Sequence, residues 1–146
     1  MIKKRIIQTI LLLILIQFSI RTYSQQAIEL NRFALDEVKQ AVAVDKDYFY
    51  VINNSTITKH NKNDGNLVAK CELGEKGITH LNSGVVIKGY LYCASSNYPD
   101  SPMASSIEIF DASTLTHVGN HSFGIFTGSA TWIDQHEGNW YVVNKS

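Results

Sequence analysis

The sequence predicts an all-β chain made of β-propeller blades, each a sheet of four antiparallel strands. Three observations lead to that class. From position 41 onward the chain is a series of short β-rich runs separated by turn residues. The inner-strand starts Ala41, Gly84 and Ala130 recur 43 and 46 residues apart, and a period in the forties suits a four-stranded blade. Phe49-Tyr50-Val51, Leu91-Tyr92-Cys93 and Trp140-Tyr141-Val142 place an aromatic in one register three times. A β-sandwich would also give many short strands, but it has no reason to repeat that register.

The segments follow in order. Residues 1–24 read as a secretory signal peptide. Lys3, Lys4 and Arg5 form a charged start, and Ile6 to Ile20 an apolar run broken by Gln8, Thr9, Gln17 and Ser19. Thr22-Tyr23-Ser24 offers small residues at the −3 and −1 positions of a cleavage site. The apolar run falls short of the roughly 20 residues that span a bilayer. The expectation is therefore export to the periplasm or the exterior, with no membrane attachment after cleavage, rather than a transmembrane anchor. Residues 25–40 form an extended lead-in, because Ile28, Leu30, Phe33, Leu35 and Val38 do not alternate cleanly. A helical turn is expected over Leu35–Lys39. Residues 41–146 are the partial propeller.

The first set of strands covers 41–44, 48–52, 56–60 and 67–71. Asp64-Gly65 in the turn before the fourth run predicts a type I′ hairpin, whose two central residues need positive φ. The surrounding Asn/Asp cluster does not read as a calcium loop. Asp64 stands where a non-ligand is expected, and no Glu lies six residues past Gly65. A second set covers 84–87, 90–94, 106–111 and 117–121, and a third covers 130–133 and 140–143. That makes about two and a half blades, whereas closed propellers have at least four. The expectation is an incomplete ring, first a fragment of a longer protein, and otherwise a chain that self-associates through open sheet edges or packs as a small open stack of sheets.

Formal net charge is +0, from 13 basic and 13 acidic residues. Four of the basic residues (Lys3, Lys4, Arg5 and Arg21) lie in the first 24 positions, so the remainder is acidic. An acidic body argues against a nucleic-acid partner, which selects a basic face. Export would put Cys71 and Cys93 in an oxidising compartment where they could pair. Both sit in strand-like runs and read more simply as small buried hydrophobes. The sequence names no cofactor.

Ile78 to Val143 carries several longer motifs. They are His80-Leu81-Asn82-Ser83-Gly84, Ser96-Asn97-Tyr98-Pro99, Ser105-Ser106-Ile107-Glu108-Ile109-Phe110-Asp111, His121-Ser122-Phe123-Gly124 and Gly128-Ser129-Ala130-Thr131-Trp132-Ile133-Asp134. This stretch resembles a family of exported bacterial six-bladed propeller proteins, related in fold to gluconolactonase-like and NHL-type propellers and sometimes labelled cycloisomerases. Gln40 to Asp45, with Lys59, resembles that family's first blade. The resemblance implies the fold and export, and it implies further blades beyond those counted here.

Propeller ligands usually bind at the mouth of the central channel. The repeat places Gln40, Ser83 and Ser129 there, with His80, Asn82 and His121 beside them. The long loop Ser95–Ser105 adds Asn97 and Tyr98, since long loops often carry function. These eight are the candidate ligand-binding residues, and a small molecule or carbohydrate is the expected ligand. No metal site is expected. His117 and His121 lie about 13 Å apart on a strand at roughly 3.3 Å per residue, too far for one ion. Glu108 alternates with Ile107 and Ile109 and reads as an inter-blade partner of a Lys or Ser. Trp132 and Trp140 read as core between blades. The leading functional reading is a secreted propeller scaffold that binds a ligand or partner. The alternative is an enzyme, or the remnant of one, acting on a lactone- or sugar-like molecule. That alternative requires His80, Asn82 and His121 to converge.

Overall fold

The computed structural model describes residues 26–35, 38–125 and 127–145. The expected signal peptide lies outside the described residues. The chain divides into a leading unit, residues 1–32, and a compact unit, residues 33–146, so the division falls inside the expected lead-in. The described part of the leading unit has no regular secondary structure. Its Arg32 guanidinium meets Glu29 at 2.7 Å. Leu35, Val38 and Lys39 are not helical, and the rest of the expected helical turn, Asp36 and Glu37, lies outside the described residues.

The compact unit is all-β. Its strands are β1 (Ala41–Val44), β2 (Tyr48–Asn53), β3 (Thr56–Asn61), β4 (Leu67–Glu72), β5 (Leu81–Ile87), β6 (Tyr90–Ser96), β7 (Ala104–Asp111), β8 (His117–Ile125), β9 (Ser129–His136) and β10 (Asn139–Lys145). They form two antiparallel four-stranded meanders, β1-β2-β3-β4 and β5-β6-β7-β8, and the hairpin β9-β10. All ten runs anticipated from alternation are strands. Several extend further than expected, so the long loop shrinks to residues 97–103.

Alternation assigns the faces. Ala41, Ala43, Tyr50, Ile52 and Ile57 of the first sheet pack with Leu81, Leu91, Cys93 and Phe110 of the second. The opposite face of the second sheet, with Val85, Tyr92, Ala94 and Ile107, packs on Ala130, Ile133 and Val142 of the third. The strand β5 lies against both β1 and β9. Tyr50 pairs with Ala43, Tyr92 with Val85 and Tyr141 with Asp134, so the three tyrosines share one register, as the sequence suggested. The alignment of strand starts needs a correction. Ala41 opposes Ile52, whereas the residue in the equivalent place of β5 is Ser83, opposite Ala94. Gly84 is one residue later, and a shift of one residue reverses the face. A Cβ at Gly84 would come within 2.5 Å of Ile52 Cδ1 and 3.2 Å of both Cys93 Sγ and Leu91 Cδ1. The bare glycine therefore allows the first two sheets to approach.

The type I′ geometry also falls elsewhere. Lys88-Gly89 and Glu137-Gly138 have φ of 49°, 82°, 50° and 81°, and they close the two-residue hairpins β5-β6 and β9-β10. At Asp64-Gly65 only the glycine is left-handed, at φ 73°. The loop there is longer, and the Asp64 carboxylate accepts the Asn66 amide at 2.9 Å. A longer hairpin loop needs only one residue in that region.

Polar contacts clamp the first two sheets together. The Tyr50 hydroxyl donates to Asp45 at 2.6 Å and reaches the Ala112 carbonyl at 3.0 Å. The buried Lys59 ammonium donates to the same carbonyl at 2.9 Å and to that of Ser113 at 3.3 Å. It also lies 4.0 Å from the centre of the Tyr48 ring. On the far face of the first sheet, Phe33 stacks on Phe49 and Phe49 on His60, with centroids 5.5 and 5.0 Å apart. Trp132 and Trp140 are not core: they are 44% and 43% exposed. Trp132 is on the face of the two-stranded sheet that has no covering sheet among the described residues, whereas Trp140 is on the face towards the second sheet, its ring centroid 4.6 Å from that of Tyr92.

Candidate ligand-binding site

A cavity of about 260 Å³ lies where β5 and β9 begin. It is lined by His80, Asn82, Tyr98, Met103, Ser129, Thr131 and Lys145. Each wall has a local cause. Residues 97–103 form a short crossing between β6 and β7, tied by Asn97. The Asn97 amide donates to the Pro102 carbonyl at 3.1 Å, and its oxygen accepts the Ala104 amide at 2.7 Å. That tie leaves Tyr98 on the rim, 57% exposed. The Tyr98 ring lies 5.3 Å from the His80 ring at 39°. Two cis peptide bonds, Tyr98-Pro99 and Ser101-Pro102, belong to this crossing.

The floor is stitched by side chains between the second and third sheets. Asn82 Nδ2 donates to the Ala130 carbonyl at 2.7 Å. Ser83 Oγ accepts the Ile133 amide at 3.1 Å. The Ser96 and Ser129 hydroxyls meet at 2.8 Å. Ser105 Oγ donates to the Gly128 carbonyl and accepts the Ala130 amide at 3.0 Å. The buried Ser105 hydroxyl thus satisfies two backbone groups at the start of β9 that would otherwise be costly to bury. The cavity thus offers an imidazole, an exposed phenol, hydroxyls and the Lys145 ammonium. Such a set can donate to and stack on a small hydroxylated or carbonyl-bearing molecule.

Four of the eight sequence candidates share this cavity: His80, Asn82, Tyr98 and Ser129. Ser83 does not line it, and its hydroxyl oxygen accepts the Ile133 amide. Asn97 is occupied in the crossing and lines a second cavity. Gln40 is exposed and donates to Asn54 at 2.5 Å. His121 lines a third cavity, of about 500 Å³, with Tyr92, Ile107, Phe123 and Trp140. His121 therefore does not share a cavity with His80 and Asn82. Lys145, Thr131 and Met103 were not among the sequence candidates. Nothing in their local sequence marks them, because it is the pairing of β9 with β10 that brings Lys145 beside Ser129.

The second cavity, about 230 Å³, holds Glu108 among Ser95, Ser106, Asn120 and Ser122. The Glu108 carboxylate accepts the Ser106 hydroxyl at 2.5 Å and His117 Nε2 at 2.7 Å. A serine partner is thus present, but not across two blades as expected: Ser106 is on the same strand and His117 on β8 of the same sheet. Because Ser106 bonds the carboxylate rather than the imidazole, the trio is not wired as a nucleophile with its base. Cys71 and Cys93 are both free. Among the described residues no group of three or more His, Cys, Asp or Glu side chains is placed to hold a metal ion. The chain matches no protein-family model, and no curated protein is significantly similar to it.

Proposed function

We propose that this protein is an exported β-propeller-type scaffold that binds a small carbohydrate- or lactone-like molecule in the cavity between β5 and β9. One observation carries the reading. Four polar or aromatic residues chosen from three distant stretches of sequence, His80 and Asn82, Tyr98, and Ser129, line a single cavity. The blade reading is supported by two four-stranded meanders in succession and by β5 lying against both β1 and β9. Tyr98 stacks on a sugar face, while His80 and Lys145 donate to its oxygens. The separate location of His121 favours binding over catalysis by the trio His80, Asn82 and His121.

Calorimetric titration with neutral monosaccharides, sugar acids and aldonolactones tests the site. Binding of one class is expected, with Tyr98→Ala and His80→Ala each weakening it by about tenfold or more at unchanged melting temperature. Binding that both variants leave intact would place the ligand elsewhere. Fusing residues 1–24 to a reporter tests export separately; retention of the reporter in the cytoplasm would remove that half of the reading.

A further inference from the structure

The second sheet turns one face towards the first, and that face changes character along its strands. At one end it is apolar: Leu91 and Cys93 of β6 and Phe110 of β7 belong to the cluster shared by the two sheets. Beyond them, alternation puts Ser95 of β6 and Glu108 and Ser106 of β7 on the same face. Ser106 opposes Ser95 and Ser122, and Glu108 opposes Cys93 and Asn120. This polar half lines the cavity of about 230 Å³, together with Gly77 and Ile78 of the connection from β4 to β5. The first and second sheets both have four strands. Glu108 is the one ionisable residue in the lining among the described residues, and it is 5% exposed. Burying a carboxylate is costly unless its acceptor positions are used, and it has about four of them. Oε1 accepts the Ser106 hydroxyl and Oε2 accepts from His117 Nε2. No other hydrogen bond reaches this carboxylate among the described residues, and none holds the side chains of Ser95 and Asn120.

We propose that this cavity binds the ammonium group of a small amino alcohol. An ammonium brings one positive charge and three donors. The open acceptor positions of Glu108, the Ser95 hydroxyl and the Asn120 amide oxygen can take those donors, and a hydrogen bond between two charged groups is the stronger kind. The Ser106 hydroxyl gives its hydrogen to Glu108 and keeps its lone pairs for a hydroxyl of the ligand. An anion would face Glu108 with no Lys or Arg in the lining to offset the repulsion. An apolar molecule would strip water from the carboxylate and give it no partner in return. The volume lies below the roughly 300–1,000 Å³ of pockets for drug-sized ligands, so the ligand is a few heavy atoms across. This cavity and the one between β5 and β9 share no lining residue among those described, so the inference does not depend on what binds there.

Titration of the isotope-labelled full chain at neutral pH with 2-amino-1,3-propanediol and with glycerol, followed by nuclear magnetic resonance, tests the site. The two probes differ only in an ammonium at the central carbon in place of a hydroxyl. The amino alcohol should shift the amides of Ser95, Ser106 and Asn120 and bind about tenfold or more tightly than glycerol. Glu108→Gln keeps the shape and removes the charge, and should bring the two affinities together. Asn120 is exposed and opposite Glu108, so Asn120→Lys leaves the fold in place and offers the carboxylate a tethered ammonium. It should weaken the amino alcohol by about tenfold or more, and it decides the matter alone if Glu108→Gln lowers the melting temperature. Tyr98→Ala, in the other cavity, should leave binding of the amino alcohol unchanged. No binding of the amino alcohol, equal affinity for both probes, or affinity that survives Asn120→Lys would overturn the proposal. So would shifts confined to residues around the other cavity, or a loss of binding in Tyr98→Ala, either of which would place the ammonium there.

Discussion

The two interfaces between sheets are built from similar residues and close to different degrees. Between the first and second sheets twelve buried residues form one cluster, with Tyr50 and Lys59 bonded across it to the Ala112 carbonyl. Between the second and third only four buried residues meet, and a cavity of about 500 Å³ opens beside them. The cause is strand number. The strand β9 lies against β5, β6 and part of β7, while Ile109 and Phe123 of β7 and β8 remain in the cavity wall with Trp140 and Val142 of β10. An apolar face on a four-stranded sheet needs a partner of similar width to be excluded from water.

The largest expected effect separates the two interfaces directly. Phe110→Ala, at a fully buried position in the first, should cost about 3–5 kcal/mol. Ile133→Ala in the second should cost about 2 kcal/mol, since its surroundings already border open space and can relax. Both tryptophans lie in the third sheet, which provides a probe of that sheet alone. In urea, tryptophan emission should change before far-ultraviolet dichroism does, as the less protected element opens first. Coincident transitions, or equal costs for the two substitutions, would show that the third sheet is as firmly held as the others.

Strands were legible in the sequence because alternation and β-branched residues depend only on near neighbours. Glu108 was correctly set opposite Ile107 and Ile109 for that reason. What sequence did not reveal was set by pairing. The one-residue offset of Gly84 depends on which residue of β6 it faces. His117 meets Glu108 only because β7 and β8 pair. The exposure of Trp132 reflects the lack of a covering sheet on its face among the described residues, not the composition of its strand. The cavity shows the same split. His80, Asn82, Tyr98 and Ser129 are polar residues in conspicuous places, whereas Lys145 reaches the cavity only through the β9-β10 register.

A smaller effect is expected where the tight interface depends on a missing side chain. Gly84→Val would push into Ile52, Leu91 and Cys93, all fully buried. Overpacking of this kind should cost about 1–3 kcal/mol, read as a lower denaturation midpoint. Gly119, with open space around its Cβ direction, is the control: Gly119→Val should change stability far less. Similar losses at both positions would mean that the close approach of the sheets at Gly84 is not what makes that glycine necessary.

Acid should loosen the tight interface through Asp45. Partial burial works to raise the Asp45 value, but the Tyr50 hydroxyl, the Tyr48 and Asp47 amides and the charge of Lys59 together hold it below the ordinary value. A carboxyl lowered on folding contributes stability in full above its unfolded value of about 4, and loses it as pH falls through the folded value. The stability difference between the native chain and Asp45→Asn should therefore be constant from pH 7 to about pH 5 and shrink below about pH 4. A difference that does not change with pH would mean that the charge on Asp45 contributes nothing to the clamp.

The smallest effect distinguishes two positions at the same interface. Cys93 is fully buried in the cluster shared by the first two sheets. Burial, and then the nearby Glu108 charge, push its thiol well above the ordinary range. Cys71, on the edge strand β4, is only partly covered. Since the thiolate is the reactive form, a thiol reagent should modify Cys71 in the native chain and reach Cys93 only as the sheets separate. The count should rise from about one thiol to about two across the unfolding transition. If Cys93 reacts at the native rate of Cys71, the first interface opens as readily as the second, and the contrast between them disappears. If neither reacts before a reductant is added, the two cysteines are paired in solution and β4 must approach β6 more closely than it does in this fold.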